Sequence, residues 1–341
     1  MRGRAASILF LIGALTLAVD AGAADPFTLQ PVEGDRGLAV WGDGATVWAV
    51  TGDGSARRLP LGRGEQPTAV AETADGWVTA GLRRRPDRRE LFLMEERNGE
   101  IRRLAPPRGA AMLRLRPVPL VDGGELAGLA WLEGDSLSTL EVRAAALEDG
   151  RWSAPVTVSP AGRGSQTGLV GAVLADGAWL LAWAAFDGND DEILFAERRG
   201  GSWSSPRRVH PGNRVPDVTP ALLPTAAGAR LVWAHRDDEE GYRLTLSTFD
   251  GNRWSAPAVV GGPHTLYPAF TRLGGRDFLL ARSAAPRGWR LLEVGADARV
   301  TRSALTTEAS SVRPTVETVG DDVLLRWPGE PGGRAVSWRR P

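Results

Sequence analysis

The chain contains no cysteine and, among its 41 basic residues, no lysine: every long basic side chain is an arginine. Without cysteine there is no disulfide framework, no thiolate nucleophile, no thiolate metal site and no lipid-attachment thiol. There are only two tyrosines, Tyr242 and Tyr267, and three histidines, His210, His235 and His264, which fall in separate repeats without metal-ligand spacing. Net charge is also missing, since 41 acidic residues balance the 41 basic ones. A neutral chain has no global field to hold a polyanion, so nucleic acid is not an expected partner. Long amphipathic helical patterns, phosphate-binding glycine loops and nucleophile elbows are absent as well.

What is present begins with an export pattern. Arg2 and Arg4 precede a short apolar run over residues 5–19, and Ala21-Gly22-Ala23 follows as a small-residue cleavage site. Residues 1–24 are therefore expected to be a secretory signal peptide, and residues 25–341 a single domain in the periplasm or outside the cell. No apolar run is long enough to be expected to span a bilayer.

The rest of the chain is written in repeats. DGRWSAP, GGSWSSP and DGNRWSAP place Trp152, Trp203 and Trp254 at equal intervals of about fifty residues. A short apolar strand pattern ends in Trp at Trp41, Trp131, Trp183, Trp233 and Trp327, with Ala80 and Ala281 filling the gaps in the series. A second series, upstream of the first, starts at Pro31, Pro67, Pro117, Pro220, Pro268 and Pro314, with Gly168 at the matching place of the remaining copy. Short strands separated by DG, GG, GD and PG turns predict an all-β chain. Four strands per copy and seven copies predict a β-propeller of four-stranded antiparallel blades, seven in number, with six as the alternative. The tryptophan of each WSAP phrase is expected to pack between blades.

These phrases resemble the aspartate-box repeats of sialidase-like propellers, whose pattern is S-x-D-x-G-x-T-W. In STFDGNRW, residues 247–254, Ser, Gly and Trp are in register and Asp lies one place late; in AERRGGSW, residues 196–203, Gly200, Ser202 and Trp203 match. The resemblance implies a fold. It also implies, for an active member, an arginine triad, a Tyr–Glu nucleophile and an aspartic acid/base. The Arg-Ile-Pro segment that supplies one of those arginines is missing here. Tyr267 as nucleophile and Asp217 as acid are the residues that reading offers.

In a propeller the inner strands line a central channel, and the loops at one of its faces form the default binding surface. The residues just before each inner strand are Gln30, Gln66, Arg116, Thr167, Thr219, Tyr267 and Arg313, with Arg163, Arg214, Asp217 and His264 in neighbouring connections. The ring so formed is polar, aromatic and cationic. Arginine grips a carboxylate or phosphate with two parallel hydrogen bonds. An acidic sugar or glycan end is thus the expected ligand of a non-catalytic propeller, with a sialidase-like exo-glycoside hydrolase and a protein–protein scaffold as alternatives. No cofactor is expected. Asp187, Asn189 and Asp191 have the alternate spacing of a calcium loop but lack its later glycine and glutamate. A solvated acidic hairpin is the competing account of them.

Overall fold

A computed structural model describes residues 39–42, 47–50, 56–109, 111–162, 164–273, 275–305, 314–319, 322–326 and 336–338. The expected signal peptide and Arg163 and Arg313 lie outside these residues. Among the described residues no helix is long and apolar enough to cross a membrane.

The chain is an all-β propeller. Each blade is an antiparallel meander in chain order. Blade 1 comprises Glu65–Thr73, Gly76–Arg84, Arg89–Arg97 and Glu100–Leu104. Blade 2 comprises Leu113–Asp122, Glu125–Gly134, Glu141–Glu148, and an outer edge split into Arg151–Trp152 and Val156–Ser159. Blade 3 repeats that plan with Gln166–Val173, Trp179–Phe186, Asp191–Arg199, then Ser202–Trp203 and Arg207–Arg208. Blade 4 runs through Asp217–Thr225, Gly228–Asp237, Gly241–Phe249 and Ala258–Val259. Blade 5 consists of Thr265–Leu273, Arg276–Ala284, Arg287–Val294 and Val300–Leu305.

The structure therefore shows five blades, where the repeat count predicts seven or six. Among the described residues, the copies at either end contribute three strands each: Ala39–Gly42, Val47–Val50 and Ala56–Arg58 before blade 1, and Thr315–Val319, Asp322–Arg326 and Val336–Trp338 after blade 5.

The core lies between blades. One apolar cluster joins Val118, Leu120 and Leu132 of blade 2 to Leu169, Leu181 and Trp183 of blade 3. Another joins Leu180 and Phe195 of blade 3 to Leu231, Trp233 and Phe249 of blade 4. A strand packed on both faces needs no polar alternation, which is why WLLAWAAF in Trp179–Phe186 is buried almost end to end. Trp131, Trp183 and Trp233, at equivalent points of the second strands, are all 0% exposed. Burial of such a ring contributes several kcal/mol, and its loss to alanine costs about 3–5 kcal/mol.

The WSAP phrases have a backbone reason as well as a packing one. Ser153 donates its N–H to the Ala146 carbonyl at 2.8 Å, and its hydroxyl accepts the Ala146 N–H at 3.0 Å. Ser204 does the same to Glu197, and Ser255 to Thr248. The serine oxygen thus replaces a strand partner where the following proline interrupts the outer edge. The preceding tryptophan turns inward: Trp152 donates its Nε1–H to the Ala105 carbonyl of blade 1 at 2.6 Å, and Trp254 meets Phe195 of blade 3 edge-on at 5.6 Å.

Candidate functional site at the channel

The first strands of neighbouring blades lie side by side around a central channel. Each carries a β-bulge at one height. In blade 2 the pairing jumps from Leu115↔Leu132 to Val118↔Ala130, so Arg116 and Pro117 together face Trp131. Blade 3 sets Gly168 and Leu169 against Trp183, blade 4 sets Thr219 and Pro220 against Trp233, and blade 5 sets Tyr267 and Pro268 against Ala281. Proline, with no N–H to place in a ladder, fits a position where the ladder is already broken.

The residue before it pays in backbone strain. Arg116, Thr219 and Tyr267 have φ of 50°, 52° and 54°, and Gly168 has 64°. For a β-branched or bulky side chain that conformation is an outlier, costing on the order of 1–3 kcal/mol. Three strained non-glycine residues at equivalent points of one channel mark where the scaffold aims its side chains inward.

A cavity of about 130 Å³ sits there, lined from all five blades, by Thr68, Arg116, Gly168, Thr219 and Tyr267 among others. Three of its polar groups have unused capacity. The hydroxyls of Thr68 and Thr219 are buried without hydrogen-bond partners. Arg116 reaches channel water, yet protein encircles it. That surrounding protein holds its pKa below the ordinary arginine value, while the nearby Tyr267 acts in the opposite sense. It remains a cation, and among the described residues no carboxylate forms a salt bridge with it.

Four carboxylates elsewhere are each clamped by a pair of arginines. Glu65 is clamped by Arg83 and Arg103, Glu133 by Arg114 and Arg143, Glu197 by Arg199 and Arg207, and Asp277 by Arg230 and Arg272. Arg116 stands apart from that pattern.

Of the expected ring, the structure brings Arg116, Thr219 and Tyr267 together at the cavity. Thr167 pairs with Ala184 one step before the bulge, so Gly168 takes the ring position in blade 3. Leu169 stands there in place of the proline of other copies. Gln66 likewise pairs with Leu82, and Thr68 reaches the cavity instead. Arg214 is exposed in the connection before blade 4. His264 sits at the rim, its ring against Gly241 of the blade 4 hairpin and its N–H donated to the Glu240 carbonyl at 3.2 Å.

Asp217 is not a residue presented to a substrate. It is 0% exposed and accepts four hydrogen bonds: from Trp233 Nε1 at 2.9 Å, His235 Nδ1 at 2.7 Å, His210 Nε2 at 3.1 Å and Asn213 Nδ2 at 2.8 Å. These occupy the carboxylate's lone pairs. Burial alone would raise its pKa, but the two imidazoles outweigh that and hold it low. Two histidines expected in separate repeats thus converge on one aspartate, an arrangement that spacing in the chain does not announce. Of the metal candidates, Asp187 has a carboxylate oxygen close to those of Asp190 and Glu192, and Asn189 donates its N–H to Asp187 Oδ1 at 2.8 Å. The charge of Asp191 acts on Tyr242.

No protein-family model matches this chain, and no curated protein matches it. Solved structures do. A puromycin-hydrolysing peptidase of Mycobacterium tuberculosis superposes with a TM-score of 0.53 at 18% identity, over 93% of this chain and 50% of that one. A triple arginine-to-alanine mutant of AofleA from Arthrobotrys oligospora gives 0.53 at 11% identity, covering 84% and 87% of the two chains. The six-bladed fucose-recognising lectin of Aleuria aurantia gives 0.50 at 10%, covering 83% and 97%. This chain spans half the length of the peptidase it resembles. At these identities the likeness defines the class, a β-propeller, and nothing finer.

Proposed function

We propose that this chain is a non-catalytic binding propeller that receives the anionic end of a small ligand in its channel. The observation that carries the reading is Arg116, a cation encircled by protein with no ion-pair partner among the described residues. A carboxylate in the cavity would complete it with charge-assisted hydrogen bonds. The partnerless hydroxyls of Thr68 and Thr219 offer further donors, and Tyr267, 40% exposed, offers an apolar ring face beside a hydroxyl.

A volume of about 130 Å³ is smaller than the roughly 300–1,000 Å³ of drug-sized sites, so the channel takes an end group and leaves the rest of the ligand at its mouth. An acidic sugar or glycan terminus has that shape. The Aleuria aurantia lectin recognises fucose, an example of a sugar bound by this fold and no more than that. Against the hydrolase alternative, its candidate acid Asp217 has its carboxylate occupied by four hydrogen-bond partners.

Ligand-observed proton NMR with sialosides, uronosides and neutral glycosides tests this. Saturation transfer to acidic sugars alone, lost in Arg116→Met, is the expected result. Equal transfer to neutral sugars, or none to any sugar, would overturn it, and new anomeric signals would establish hydrolysis instead.

A further inference from the structure

A second group of polar side chains, separate from the channel cavity, has unspent capacity of the opposite sign. It lies at the hairpin between Trp179–Phe186 and Asp191–Arg199 of blade 3. Asp190 is 6% exposed and Glu192 1% exposed. Neither carboxylate oxygen of Asp190 has a hydrogen-bond partner. Asp187, Asp190 and Glu192 each bring one oxygen within 4.8 Å of the other two.

Every other buried carboxylate clamp described above has two arginines. Here Arg208 reaches Asp187 Oδ2 at 2.6 Å, and among the described residues no arginine forms a salt bridge with Asp190 or Glu192. Asp187 Oδ1 accepts the N–H groups of Asn189 and Asp190, at 2.8 and 3.3 Å. Glu192 accepts only the Asn213 N–H on Oε1, at 3.0 Å. A buried carboxylate with no partner is expensive to keep.

We propose that Asp187, Asp190 and Glu192 hold one hard divalent cation of the calcium class. An all-oxygen donor set with the spread seen here suits calcium, whose ligands stand roughly 2.3–2.6 Å from the ion. Imidazole is not part of the set. His210 has Nδ1 against the Pro211 carbonyl at 2.7 Å and Nε2 against Asp217 at 3.1 Å, so both ring nitrogens are occupied. Zinc and copper, which favour such nitrogen donors, are disfavoured. Through Glu192 and Asn213 the ion would tie the blade 3 hairpin to the connection that leads into blade 4.

The test uses the whole chain stripped with EDTA. Added Ca²⁺ is expected to raise Tm by about 5 °C. Tb³⁺ is expected to give tryptophan-sensitised luminescence that Ca²⁺ displaces. Both responses should vanish in Asp190→Asn, whose Tm in EDTA stays at or above the wild-type value because a partnerless buried charge has gone. Glu192→Gln should also lose both, and serves if the first variant does not fold. An unresponsive wild-type protein, or variants that keep the wild-type response, would overturn the site.

Discussion

At the scale of single residues, the chain places its arginines in pairs. Glu65 shows what a pair does: Arg103 and Arg83, with the Gly62 N–H, outweigh the opposing effect of burial and lower its pKa from 4.5 to about 2. A carboxylate whose folded pKa is depressed stabilises the fold fully above its unfolded pKa. That contribution disappears as pH falls from about 4.5 through about 2. Glu65→Gln is therefore expected to lose about 2–3 kcal/mol at neutral pH and almost nothing near pH 2, measured by urea unfolding across that range. A loss that does not change with pH would assign Glu65 a packing role only. Gly168 makes a different residue-scale prediction. Its φ is +64°, and a Cβ there would stand 2.9 Å from Pro220 Cδ of the next blade. Gly168→Ala should cost on the order of 1–3 kcal/mol, read as a fall in denaturant midpoint with unchanged m-value.

At the scale of strands, the second-strand tryptophans allow a matched comparison. Trp131 donates its indole N–H to Glu133 at 2.8 Å, whereas the Trp183 indole N–H is buried without a partner. Replacing each with phenylalanine removes a satisfied donor in one case and an orphan in the other. Trp131→Phe should be the more destabilising by about 1–2 kcal/mol. Equal losses would mean that ring volume alone decides. The outer edge adds a third variant: Ser204→Ala leaves the Glu197 N–H without its 3.1 Å acceptor and should cost about 1 kcal/mol, with faster amide exchange confined to the outer strands of blade 3.

These elements also show how far the sequence could be read. Strand type and blade order follow from local marks: the Trp ending a second strand, the Pro opening a first one, the Ser that closes a broken edge. Arg116, Thr219 and Tyr267 each stand before a proline that fits the broken ladder of the bulge, but Gln66 also precedes a proline and pairs with Leu82, so that mark alone does not fix the register. Gly168 was read one place off, as Thr167, where Leu169 replaces the proline. The Trp and Pro marks count seven copies, of which five form full blades among the described residues. The convergence of His210 and His235 on Asp217, and of Asp187 on Asp190 and Glu192, depends on contacts across turns and between blades. No spacing rule contains them. Alternation along the strand puts Asp190 and Glu192 on one face and Asp191 on the other, which the calcium-loop spacing of Asp187, Asn189 and Asp191 ignores.

At the scale of the molecule, a neutral chain offers a ligand no long-range pull. Recognition then depends on the channel, where inner strands of five blades deliver one cation, two unused hydroxyls and one tyrosine to a common cavity. The most direct measurement is an NMR titration of protein labelled with ¹⁵N in its arginine side chains, the Arg116 Nε–H signal being assigned by its absence in Arg116→Met. On adding a uronoside or sialoside, that signal is predicted to shift saturably while those of clamped arginines such as Arg103 and Arg207 stay in place. An Arg116 signal that remains still under saturating acidic sugar would contradict the account of the channel as an anion site.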